Sequence, residues 1–242
     1  MHHIAGEGGK KKAPFNRAMV QGPGWQTVLD MPGIWKRTFA TASRLRTVRS
    51  PTAPTRGPVR RDPGPDARPH SHEGIAYIQP DVDTDAEITA KVRTAPPGIP
   101  KEDVGHILTA LYPPPSKTDL YKIGNERGVL LSSELVFDCN TRYLGTAFKT
   151  ETWNHRFQAP PGTHGENVPC TFYNSETDQT DAKLARDMPL YLTKFVQFGS
   201  PNARGSLPKW PVYGNGAKLT TSGLEGVGKD VDETRNKRCE CW

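Results

Sequence analysis

His164 stands in the run Pro160-Pro161-Gly162-Thr163-His164-Gly165-Glu166, where two prolines and a glycine close a short alternating stretch. An imidazole on a glycine-flanked loop, just after a strand, is placed for proton transfer, because loops held by a rigid scaffold carry much of catalysis. The bland reading of His164 is a solvated turn histidine, and it has to be weighed against a partner. Glu73, in Ser71-His72-Glu73-Gly74, reads on its own as a solvated loop carboxylate. The hydroxyls open to a nucleophile's role are Ser71, Ser132 and Ser133. None sits on a strained strand-to-helix elbow or beside an evident oxyanion hole, both of which useful acyl transfer needs. His2 and His3 resemble a metal pair without further ligands nearby, so neither a metal site nor a cofactor is expected. Cys139, Cys170, Cys239 and Cys241 are too few and too scattered for a disulfide-built miniprotein. They leave both one long-range bridge and four reduced thiols open.

The elements that must position these groups follow from periodicity. Thr152 to Phe157 alternate, with Trp153, His155 and Phe157 on one side, which predicts a strand ending at Pro160. Phe15 to Gln21 reads as a short buried strand before the Gly22-Pro23-Gly24 turn, and 33–45 as an amphipathic helix. Ile75 to Pro80 reads as a strand leading away from Glu73. Thr84 and Glu87 form a capping-box pattern ahead of Ile88 and Val92, predicting a helix over 85–95. A second helix follows Pro100, with Val104, Ile107, Leu108 and Leu111 at helical spacing and Pro113–Pro115 as its stop. A third is expected over 117–137, and a long one over 181–198 with a kink at Pro189. From Gly199 the chain reads as turns around Trp210-Pro211 and then a polar tail. Short strands alternating with helices argue for an α/β fold.

Composition narrows the function. The chain has 242 residues, 34% hydrophobic, with 23 proline and 23 glycine, so part of it is expected not to pack. Residues 1–72 hold 13 Lys and Arg against 4 Asp and Glu, whereas the remainder is net acidic. Within that basic third, 47–72 carries six prolines and five arginines and almost nothing apolar, the composition of a disordered segment. Nucleic acid is not the expected partner, because zinc-finger spacing, recognition motifs and aromatic interleaving are all missing. No stretch approaches the length of a membrane span, and the opening residues lack the apolar core of a secretory signal. Oligomeric state is not readable.

Five patches together resemble the type-B carboxylesterase/lipase family of α/β-hydrolases, which includes fungal secreted esterases. They are FNRAMVQ (15–21), HEG (72–74), PPGTHGENVP (160–169), LYLTKFVQFGSPN (190–202) and WPVY (210–213). The resemblance implies a serine esterase acting on small carboxylic esters, with Glu73 as the acid and His164 as the general base. Their order in the chain matches the Ser…Glu…His order of these enzymes. It also implies a bridge from Cys139, in FDCN, to Cys239, with Cys170 and Cys241 free.

The same resemblance marks departures. The G-x-S-x-G elbow and the glycine-rich oxyanion loop do not occur in these residues. The opening MHHIAGEGGKKKAPFNRAMVQ resembles the stretch directly following that elbow. The expected organisation is therefore a remnant of the post-elbow region at 1–46, a Pro/Arg-rich disordered or aberrant segment at 47–72, and the C-terminal part of the esterase domain at 73–242. The fold class this implies is an incomplete α/β-hydrolase, lacking its N-terminal strands. Such a chain is expected to be inactive alone, the alternative being a non-catalytic interaction fragment or a degenerate product. The family is secreted; without a signal, this chain is expected in the cytoplasm or at no assignable location.

Overall fold

The computed structural model describes residues 17–22, 73–78, 81–94, 98–148, 151–173, 182–205 and 207–241, and all of them fall within one structural unit. The expected helix at 33–45 and the Pro/Arg-rich segment up to residue 72 lie outside the described residues.

Helix α1, Asp85–Thr94, begins at the reciprocal cap read from the sequence. The Glu87 amide donates to Thr84 Oγ1 at 3.3 Å, while Glu87 Oε2 accepts from the Thr84 amide at 2.9 Å. These bonds satisfy amides that a helix start leaves unpaired, and they hold the Glu87 carboxyl below its usual range, the Thr84 hydroxyl being the largest cause. Helix α2, Lys101–His106, continues into a π segment at Ile107–Leu111, and Tyr112 ends it before the prolines. A 3₁₀ turn, Pro115–Lys117, follows.

The expected helix over 117–137 starts later and runs further. It comprises α3 (Gly124–Ser133), a second π segment (Glu134–Asp138) and α4 (Cys139–Ala147). A π turn carries one extra residue in its hydrogen-bonded ring, and such turns are frequent at functional sites. Ile78, Val82, Ile88, Val92, Val104, Ile107, Leu108, Tyr112 and Leu131 make one apolar core from these helices. Arg127, only 1% exposed, crosses that core. Its Nε donates to Tyr112 O and its Nη2 to Leu108 O, each at 2.8 Å, and its remaining Nη pairs with Asp85. A buried guanidinium thus satisfies carbonyls released where the first π segment ends.

Among the described residues the sheet has three strands in the order β1 (Asn154–Phe157), β2 (Lys218–Gly223) and β3 (Gly226–Val231). β1 and β2 are parallel, with His155 opposite Thr220, and β2 and β3 form an antiparallel hairpin with Thr220 opposite Lys229. Between β1 and β2 lie the short α5 (Val168–Thr171) and the long α6 (Ala182–Phe198). Leu184, Ala185 and Met188 of α6 pack with Ala159 and Cys170 in a second core. Pro189 lies within α6. The last of the described residues form α7, Lys237–Cys241. A mixed sheet flanked by helices is an α/β arrangement, as the alternation of elements implied.

Three expectations are corrected. Residues 75–78 are not a strand: Glu73–Ala76 form a 3₁₀ turn, with Ile75 and Tyr77 exposed and Ile78 buried. Residues 17–21 are not a buried strand either, since they are irregular and Met19 and Val20 are 45% and 48% exposed. The polar stretch at 218–231, expected to be a tail, is the β2–β3 hairpin.

Candidate functional site

The 3₁₀ turn at Glu73 is pinned to α3. The Gly74 amide donates to Ser133 Oγ at 2.7 Å. A Cβ at residue 74 would lie 2.2 Å from Val129 O and 2.6 Å from that hydroxyl. Glycine at 74 is therefore a steric requirement, and it lets the turn sit directly on the helix backbone. Ser132 and Ser133, weighed as nucleophiles, are 7% and 1% exposed. Ser133 is engaged by the Gly74 amide, and neither stands on an elbow. Ser71 lies outside the described residues.

His164 follows β1 through the turn at Pro160–Gly162. Its Nδ1 lies 2.5 Å from Glu73 Oε2, across 91 residues of sequence. The ring nitrogen donates and the carboxylate accepts, so this bond selects the Nδ1–H tautomer and directs Nε2 away from Glu73. The two side chains are 35% and 24% exposed respectively, a pair at the surface rather than in a core. Phe137, on the second π segment, packs its ring 4.7 Å from the imidazole, centroid to centroid. Tyr77 meets the imidazole edge-on at 6.1 Å and Phe137 at 5.2 Å. Gly22 approaches from the irregular strip at 17–22: it has φ +50°, and a Cβ there would lie 2.9 Å from His164 Cε1. Gln21 fixes the strip by donating to Thr171 Oγ1 at 2.9 Å, and Arg17 donates to Val196 O at 2.5 Å.

Two other features frame the pair. Cys139 and Cys239 form a disulfide with Cα atoms 5.1 Å apart, Cys170 is a buried thiol and Cys241 an exposed one. Beside the disulfide, Arg238 donates twice to Glu134, at 2.8 Å each, and Glu134 also accepts from the Tyr112 hydroxyl at 2.6 Å. On the sheet, His155 Nε2 lies 2.5 Å from Ser222 Oγ and its ring stacks on Trp210. Burial pushes that imidazole down to about 4. Ser222 is fully buried, so this serine–histidine contact holds the sheet together and offers no surface to a substrate.

Among the described residues, no three His, Cys, Asp or Glu side chains converge as a metal site requires, and no helix is long and apolar enough to cross a membrane. Sequence reasoning named Glu73, His164 and both bridged cysteines. It missed Phe137 and Tyr77 as neighbours of the imidazole, because their contacts depend on a π turn and a 3₁₀ turn that periodicity does not reveal. It also missed the salt bridge between Glu134 and Arg238, whose partners are 104 residues apart.

No family model matches the chain. Two curated relatives do, both named carboxylesterase patB. The one from Aspergillus clavatus is 35% identical over 140 residues, covering 57% of this chain and 25% of the relative. The one from Penicillium expansum is 30% identical over 175 residues, covering 71% of this chain and 31% of the relative. The chain thus spans about a quarter to a third of the length of these relatives. Among solved structures, Aspergillus niger EstA aligns with a TM-score of 0.48 and 17% identity, over 71% of this chain and 37% of that one. These sequence matches support a carboxylesterase/lipase family for the chain, which aligns with only part of each relative.

Proposed function

We infer that these residues supply the acid and the base of a serine carboxylesterase, Glu73 and His164, and that the ester-bearing substrate is a small molecule. The observation that carries this reading is the 2.5 Å contact between His164 Nδ1 and Glu73 Oε2, made by residues from two distant turns and left partly open to solvent. A carboxylate on Nδ1 fixes the imidazole's tautomer and stabilises the imidazolium that forms when Nε2 takes a proton. Nε2 then acts as general base toward a serine hydroxyl and returns the proton to the departing alcohol. Attack by the serine oxygen on the ester carbon gives an acyl-enzyme and frees the alcohol. Water, activated by the same imidazole, releases the acid and restores the serine.

The 242 residues contain no G-x-S-x-G, so in this reading the nucleophile and the oxyanion donors belong to a part of the fold that these residues do not supply. In keeping with that, the domain division proposed is a post-elbow stretch at 1–46, a distinct segment at 47–72 and the esterase portion at 73–242. Two assays test it. The purified 242 residues are expected neither to hydrolyse a short p-nitrophenyl ester nor to be labelled by a fluorophosphonate. One labelled serine, with turnover abolished in His164→Ala, would show a nucleophile within the chain and overturn the division of labour. Grafted in place of the matching segment of the Penicillium expansum relative, the same residues are expected to support hydrolysis. Replacing His164 by Ala in the graft should remove the activity by several orders of magnitude, and replacing Glu73 by Gln by roughly 10⁴-fold. Full activity in either variant would sink the assignment.

A further inference from the structure

The Glu73–His164 pair has no secondary structure in common; its two halves come from a 3₁₀ turn and from a loop after β1. What both halves touch is one helix. Ser133, the last residue of α3, receives the Gly74 amide at 2.7 Å and so fixes the turn that carries Glu73. Phe137, four residues on and within the π segment, places its ring 4.7 Å from the imidazole at an interplanar angle of 33°. Phe137 is 2% exposed and itself backed by Tyr77, so it is a fixed wall rather than a mobile cover. The Val129 carbonyl, one turn before Ser133, is the surface that leaves room only for glycine at 74.

We propose that Ser133 and Phe137 are the positioning residues of this site: the α3–π junction is a ruler that sets the carboxylate against Nδ1 and limits rotation of the imidazole. The inference rests on the acid–base reading of Glu73 and His164 given above. An aromatic face against an imidazole restricts the ring without competing for either nitrogen, which a polar neighbour would do. A serine hydroxyl on the Gly74 amide satisfies a buried donor and fixes the adjacent residue through the backbone, leaving both Glu73 oxygens for the histidine. The π turn fits this role, since its extra residue changes which side chains a helix presents together.

The measurement is the tautomer of His164 in the 242-residue chain, read from the nitrogen-15 shifts of its ring at alkaline pH with histidine labelled. Assignment uses His164→Gln among the seven histidines. The starting chain is expected to show a single Nδ1–H tautomer. Phe137→Leu and Ser133→Ala are expected to turn it into an exchanging mixture of both tautomers. Phe137→Tyr, which keeps the ring, and Ser132→Ala, on the same helix, are expected to leave it unchanged. Far-ultraviolet circular dichroism and retention of the Cys139–Cys239 bridge report the fold in each variant.

Phe137→Leu or Ser133→Ala retaining the single tautomer overturns the assignment for that residue. Loss in Phe137→Tyr or Ser132→Ala as well overturns it too, because the ring and the hydroxyl are then not what the imidazole reads. Glu73→Ala, which removes the acceptor, separates the two layers of the reading. If it leaves the tautomer unchanged, the acid–base pair itself is wrong. If it disturbs the tautomer while Phe137→Leu and Ser133→Ala do not, only the ruler is wrong.

Discussion

Glu73 and Glu134 are both carboxylates bound to a basic side chain, one on a turn packed against the α3–π stretch and the other within it, yet they are built for opposite ends. Glu134 is saturated: Arg238 binds it twice, the Tyr112 hydroxyl adds a third bond, and its side chain is 4% exposed. Among the described residues Glu73 has one hydrogen-bonded side-chain partner, the His164 imidazole, and both remain a quarter to a third exposed. The first arrangement leaves no lone pair for an incoming molecule and fastens the Lys237–Cys241 helix to the second π segment. The second leaves a ring nitrogen on offer. Burial and saturation distinguish a clamp from a site better than the presence of an ion pair does.

The comparison is broken most severely at the clamp. Arg238→Met should strand the Glu134 carboxylate and cost about 3–5 kcal/mol, read as a drop in the urea midpoint. Adding Glu134→Leu should restore much of it, and no recovery would mean that packing, not the charge, was lost. Reducing the disulfide that lies next to the clamp opens a loop spanning 100 residues. It is expected to cost about 2–4 kcal/mol, measured as unfolding with and without reductant.

A smaller effect belongs to His155. Its folded-state value, pushed down by burial to about 4, lies below the ordinary 6.5. The unfolded chain therefore takes up a proton that the folded chain refuses, so stability is full above about pH 6.5 and falls as pH drops toward about 4. The slope is at most about 1.4 kcal/mol per pH unit, because one imidazole takes up at most one proton. His155→Gln should flatten that dependence in urea melts, and an unchanged slope would place the titrating group elsewhere. The smallest stability effect is expected from Glu73→Gln, about 0–1 kcal/mol, because the pair is solvent-screened. A loss as large as that of Arg238→Met would make Glu73 a second clamp and erase the distinction.

Residues with strong local signals were readable before the structure. Thr84 and Glu87 announced the start of α1, and Leu184 and Met188 the buried face of α6. Cys139 with Cys239, and the nearness of Glu73 to His164, came from family pattern rather than from spacing. The failures have physical causes. Ile75 and Tyr77 alternate like a strand, but Gly74 is drawn onto Ser133 and the backbone curls into a 3₁₀ turn. The β2–β3 hairpin was hidden because its buried positions include Thr220 and Ser222, which do not alternate in hydrophobicity; the signal available was the short Leu224-Glu225 connection between Gly223 and Gly226. The π segments give no mark in composition, so Phe137 looked like one more apolar helix residue.

The clamp also sets a timetable for synthesis. Glu134 and Cys139 leave the ribosome about a hundred residues before Arg238 and Cys239. At about 5–20 residues per second, the growing chain holds a carboxylate and a thiol without their native partners for roughly 5–20 s. The helices of 85–147 can gather their apolar core in that interval from local contacts. The stretch that must bury Glu134 arrives about a hundred residues later, which makes nascent chains of this protein most dependent on holding factors over that interval.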